Sequence, residues 1–107
     1  MTILNDRRDC FVKKFAHDEE LRFKATARRN KLLGLWAAER LGKSGQDAEA
    51  YAKIVVLADL QEAGDADVIG KVSADLSAAG APNADDQVRR MLEQFMIKAM
   101  VEIRTTA

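Results

Sequence analysis

Phe15-Ala16-His17-Asp18-Glu19-Glu20-Leu21-Arg22-Phe23-Lys24, running on into Ala27-Arg28-Arg29-Asn30-Lys31-Leu32-Leu33-Gly34-Leu35-Trp36-Ala37-Ala38-Glu39, is a join between two amphipathic patterns. Before it, Leu4, Phe11, Val12 and Phe15 share one face at helical spacing. The next positions on that face are Glu19 and Arg22, and the stripe ends there. A second stripe then runs through Leu21, Ala25, Leu32, Leu35 and Trp36. Asp18 suits the N-cap between them, because its short carboxylate can accept an unpaired N–H of the first turn. Glu19 and Glu20 place negative charge where the helix dipole favours it. As one rod, Asn5 to Leu41 would extend about 55 Å, too long for a compact domain of 107 residues. The sequence therefore predicts an arm over residues 1–17 and a helical domain over 18–107, with His17 and Asp18 as the hinge. A helix of about 12 residues is marginal in isolation. The arm is accordingly expected to be partly disordered in the free chain and to fold when bound; the alternative is an arm folded back over the domain.

The rest of the chain continues in helices. Ala, Leu, Glu, Lys and Arg dominate, and sustained period-two alternation of β-branched residues is absent. Breaks fall at Gly42-Lys43-Ser44-Gly45, Ala63-Gly64-Asp65 and Gly80-Ala81-Pro82-Asn83. Gly42 suits a left-handed C-terminal cap, and Ser44 with Asp47 approximates a capping box. Asp65 is expected to cap the third bundle helix, and Asn83, followed by Asp85 and Asp86, to start the last. One face of the second unit carries Tyr51, Ala52, Val55, Val56 and Leu60. The third carries Val68, Ile69, Val72 and Leu76, and the fourth Val88, Met91, Leu92, Phe95, Ala99 and Ile103. Short connections make neighbours antiparallel. The expected class is all-α: a bundle of about four helices with a short N-terminal amphipathic arm. Gly70, inside the third unit, weakens that helix by about 1 kcal/mol relative to Ala.

Apolar content of 48% and charged content of 32% suit a soluble globular domain. No basic-then-apolar leader ends in a cleavage site, and the lone Cys10 permits no internal disulfide, so a reducing, cytoplasmic setting is expected. The formal net charge of zero conceals an uneven distribution. Through Lys43, eleven Lys/Arg face six acids; from Ser44 to Gln87, two face nine. A basic front seeks an anionic partner or its own acidic body.

No constellation carries catalysis. Gly42-Lys43-Ser44 imitates the end of a phosphate-binding loop, but the glycine required five residues earlier is Ala37. His17 beside Asp18 reads as a polar junction residue, with a pH-sensitive hinge as the sharper alternative. One His and one Cys leave a metal site to carboxylates, which argues against zinc. Cys10, near Arg7, Arg8 and Lys13, reads as bordering an apolar face before it reads as a redox thiol. Arg28-Arg29-Asn30-Lys31 reads as a solvated basic face with i,i+4 partners; neutral total charge and few aromatics weigh against nucleic acid. Trp36 is expected in the core. Phe11 and Phe15, one turn apart on the arm, are the candidates for a binding surface.

From Asp6 to Leu41 the chain resembles the zeta-subunit family of alpha-proteobacterial inhibitors of the F-type ATP synthase. The signature strings are Phe15 to Glu20 and Arg28 to Ala38. Asp47 to Lys53, Ala63 to Val68 and Val88 to Met91 match as well. The resemblance implies a four-helix, non-enzymatic protein bound to the catalytic sector, the alpha/beta and central-stalk subunits, and thus peripheral to the inner membrane without entering it. It implies that about Thr2 to Asp18 enters a catalytic interface and blocks hydrolysis. On this chain the contacts would come from Leu4, Arg7, Arg8, Phe11, Val12, Lys13, Lys14 and Phe15. The chain departs from the family pattern at Arg8 and Val12, where acids are common. It implies no obligatory cofactor, though some members are reported to bind ATP or ADP at a site no motif here places. The competing readings are a small helical adaptor and a nucleotide-responsive binding protein.

Overall fold

The computed structural model describes residues 18–61 and 65–106, leaving aside the side chains at 60, 61, 105 and 106. The described residues form four α-helices: α1 Glu19–Arg40, α2 Gly45–Gln61, α3 Ala66–Ala78 and α4 Ala84–Thr106. The class is all-α, as the periodicity predicts.

Asp18 starts α1 as its sequence suggests. Its backbone is extended (φ −107°, ψ 108°), and its carboxylate accepts the Leu21 N–H at 3.1 Å. α1 and α3 end in the same way. Gly42 (φ +79°) and Gly80 (φ +92°) take the left-handed conformation that costs a residue with a Cβ. The N–H groups of Gly42 and Lys43 then bond the carbonyls of Glu39 and Ala38, and those of Gly80 and Ala81 the carbonyls of Ser77 and Leu76. Gly42-Lys43-Ser44 is thus a helix-ending turn.

Two expected caps differ. Asp65 precedes α3 with helical backbone angles and makes no side-chain bond to its N–H groups; its carboxylate is held elsewhere. Asn83 sits at φ +51°, outside the extended region of an N-cap, and the Gln87 side chain donates to the Pro82 carbonyl at 2.6 Å.

α1 packs chiefly against α2 and α4, and α3 closes the bundle against α2 and α4. Leu33, Val55, Val68, Val72, Leu76 and Val88 fill the centre with essentially no exposed surface. The stripes of α2, α3 and α4 point inward as read, apart from Val56, which is half-buried and lines a surface groove with Lys31, Glu49 and Lys53, and Leu60, whose side chain lies outside the described residues. The α1 stripe is rotated. Its buried face is Ala25, Arg29, Asn30, Leu33, Gly34, Ala37 and Ala38, while Leu21, Leu32, Leu35 and Trp36 are only half-buried. The cause is a face of small and polar residues, which hydropathy does not register. Gly34 lets α1 and α2 touch: a Cβ built there would stand 2.6 Å from the Ala52 Cα.

Candidate partner-binding surface

Of the residues predicted to meet a partner, Leu4, Arg7, Arg8, Phe11, Val12, Lys13, Lys14, Phe15 and the hinge residue His17 lie outside the described residues, as does Cys10. Asp18 is the point from which they depart. Trp36 is half-buried against the core, with the Arg40 guanidinium 4.6 Å above its ring.

Only part of the basic run is the solvated face expected of it: Arg28 and Lys31 are exposed, the two residues between them are not. Arg29 and Asn30 are buried, at 4% and 1% exposure. Arg29 forks onto Asp65, with contacts of 2.8 and 3.3 Å, and also donates to the Asn30 Oδ1 through Nε and one terminal nitrogen. The partner is 36 residues away, not one turn. Arg28 likewise reaches across to Glu102 on α4 at 2.7 Å. The Asn30 amide nitrogen is buried without a well-formed hydrogen bond, and the group it interacts with is the Asp59 carboxylate. Burial raises the Asp59 carboxyl above the ordinary aspartate value. Asn30 and Arg29 oppose that shift, while the negative charges of Asp65 and Asp67 reinforce it. These residues tie α1 to the end of α2 and the start of α3. Spacing carried no signal of this, because the partners meet only in the tertiary fold.

A second polar knot joins α2 to α3. The Tyr51 hydroxyl donates to Asp75 at 2.7 Å, and Lys71 pairs with the same oxygen at 2.9 Å. Burial raises the Tyr51 hydroxyl, and the Asp75 hydrogen bond and charge add to it. Burial also pushes Asp75 up, but the Tyr51 and Lys71 hydrogen bonds, with the charges of Lys71 and Lys43, outweigh it and hold Asp75 below its ordinary value.

Two kinds of apolar surface remain. Phe23, Ile54, Leu57 and Val101 are each about half exposed or more. A groove of about 470 Å³ lies along α4, with Ile69, Leu92, Met96, Ile97 and Met100 as its apolar lining and Arg29, Asp65, Arg89 and Glu93 around them. The described helices include none long and apolar enough to cross a membrane.

A family model, ATPase inhibitor subunit zeta, matches residues 1–102. The chain belongs to this family. Its membership makes the protein an inhibitor-type subunit that interacts with the ATP synthase. A solution NMR structure is similar to this zeta-family chain, with 49% identity and a TM-score of 0.71 over 81% of this chain and 99% of the other. No curated protein matches it. The family match begins at residue 1, so the arm belongs to the zeta sequence pattern as much as the bundle does.

Proposed function

We propose that this chain restrains ATP hydrolysis by an F-type ATP synthase by inserting residues 1–17 into an interface between catalytic and non-catalytic subunits. The four-helix domain stays outside as the docked body, on the cytoplasmic side and peripheral to the inner membrane. The observation that carries this reading is the zeta-family match running from residue 1, across the arm and into the bundle.

The physics asks for more than two aromatics. Burying Phe11 and Phe15 yields about 1.5–3 kcal/mol each, and ordering the arm costs about 2–5 kcal/mol. Leu4, Val12 and ion pairs from Arg7, Arg8, Lys13 or Lys14 supply the surplus.

The test is steady-state ATP hydrolysis by the cognate catalytic sector with the full chain carrying Phe11→Ala and Phe15→Ala. Inhibition is expected to disappear while circular dichroism stays helical. Undiminished inhibition by the double variant would move the effector off the arm.

A further inference from the structure

α2 is apolar on more than its buried face. Tyr51, Ala52 and Val55 lie against the core, while Ile54 and Leu57, one turn apart on the outer side, are each about half exposed. With Ala50 they follow the i, i+4, i+7 spacing of a single ridge. A surface helix ordinarily turns charged and polar residues outward at such positions. α2 packs against α1 and α3, and no described helix covers this ridge. The other exposed large hydrophobics, Phe23 and Val101, stand singly on α1 and α4. Beside the ridge, α1 and α2 touch at Gly34 and Ala52, and a groove of about 450 Å³ runs between Lys31 on one bank and Glu49, Ala50, Lys53 and Val56 on the other. Ala50 and Lys53 each stand one turn before a ridge residue, so groove and ridge form one continuous surface. Lys31 and Lys53 make no ion pair among the described residues, whereas Lys24, Arg28, Arg29, Lys71 and Arg89 each make one. Glu49 makes none either, so two free cations face one free anion along the groove.

We propose that this ridge and groove are the face by which the four-helix domain docks on the catalytic sector, and that the occupant is an amphipathic helix of that assembly with an acidic edge. The proposal rests on the reading of the chain as an inhibitor of that enzyme. A groove between two packed helices receives the side-chain ridge of a third. The occupant's apolar residues cover Ile54 and Leu57, and its carboxylate enters between Lys31 and Lys53. Glu49, one turn before Lys53, accepts from a donor on the same helix and so fixes its direction. The same acid opposes an anionic lipid surface, which would bring phosphate against it. Docking also answers an energetic need of the arm. Burial of the arm is largely offset by the cost of ordering it. A body already held on the enzyme makes arm insertion an intramolecular step, at a high effective concentration.

The test uses the full chain in the hydrolysis assay. Ile54→Ser with Leu57→Ser should raise the half-inhibitory concentration about tenfold to a hundredfold, with full inhibition still reached at saturation and circular dichroism unchanged. Lys31→Glu with Lys53→Glu should raise it too. Val101→Ser, equally exposed but on α4, should leave it as it was. An unchanged value for the Ile54 and Leu57 pair, or a rise matched by Val101→Ser, overturns the proposal. An unchanged or lower value for the lysine pair overturns the acidic occupant. A photo-crosslinker on Leu57→Cys, in a full chain with Cys10→Ser, reads the contact without reference to inhibition. It should attach to a subunit of the catalytic sector, and the same probe on Val101→Cys should not. No attachment, or attachment to a second copy of this chain, overturns the proposal. So does binding to anionic vesicles that the Ile54 and Leu57 variant loses, which would give the ridge to a membrane surface. If the unaltered chain does not inhibit but the crosslink forms, the proposed function fails and the docking face stands; if neither occurs, both fail.

Discussion

Asp65 stands where an N-cap would stand, yet its carboxylate reaches Arg29 instead of the helix it precedes. The exchange is sensible in energy. A cap is worth about 1 kcal/mol, whereas a buried guanidinium left without its partner costs about 3–5 kcal/mol. Because Asp65 itself is half exposed, Asp65→Ala is expected to cost less, about 2 kcal/mol, measured as the shift in urea unfolding free energy. Asp59 has the opposite sign. Its carboxyl is raised in the folded state, so the stability it contributes is present below the unfolded aspartate value, about 3.9, and is lost as pH rises through the folded value. Asp59→Asn should therefore stabilise the chain at pH 7, and that gain should vanish near pH 3. Asp75, held low, contributes above the unfolded value and loses that contribution as pH falls through its folded one. Unfolding curves at the two pH values check both signs; a destabilised Asp59→Asn at pH 7 would mean that its attraction to Asn30 and Arg29 outweighs desolvation.

Two glycines inside helices separate local preference from packing. At Gly70 an added methyl meets open space, so Gly70→Ala should stabilise by about 1 kcal/mol through helix propensity alone. At Gly34 the same propensity gain is opposed by backbone: the Ala52 Cα, 2.6 Å from the new Cβ, must move with its helix. Overpacking of this kind costs about 1–3 kcal/mol, and Gly34→Ala should be neutral to destabilising by about 2 kcal/mol. Thermal unfolding of the pair reads the difference. Periodicity located α2, α3 and α4 and oriented their faces, since each buries a run of Val, Leu or Ile. It misoriented α1, whose buried face includes Arg29, Asn30 and Gly34. A charged side chain and a glycine count as surface or as breaks until their partners are in place.

Among the described residues, the buried hydrophobic ones all lie between Ala25 and Ala99. These residues form a hydrophobic core within the four helices themselves. A chain starting at Asp18 should keep its helical circular dichroism and cooperative unfolding while losing inhibition of the cognate enzyme. Inhibition retained by that shorter chain would place the effector in the bundle.

The sequence alone determined the all-α class, the break at Asp18, the helix ends at Gly42 and Gly80, and membership in the zeta family. Each is written in residues close together along the chain, where caps, dihedral freedom and periodicity act. Only the tertiary structure decided that Arg29 and Asn30 go inside, that Asp65 leaves its cap for Arg29, that Gly34 is a contact, and that a groove opens along α4 beside the start of α3. Those features depend on burial and on partners distant in sequence, and the free energy that places them exists only once the helices are packed.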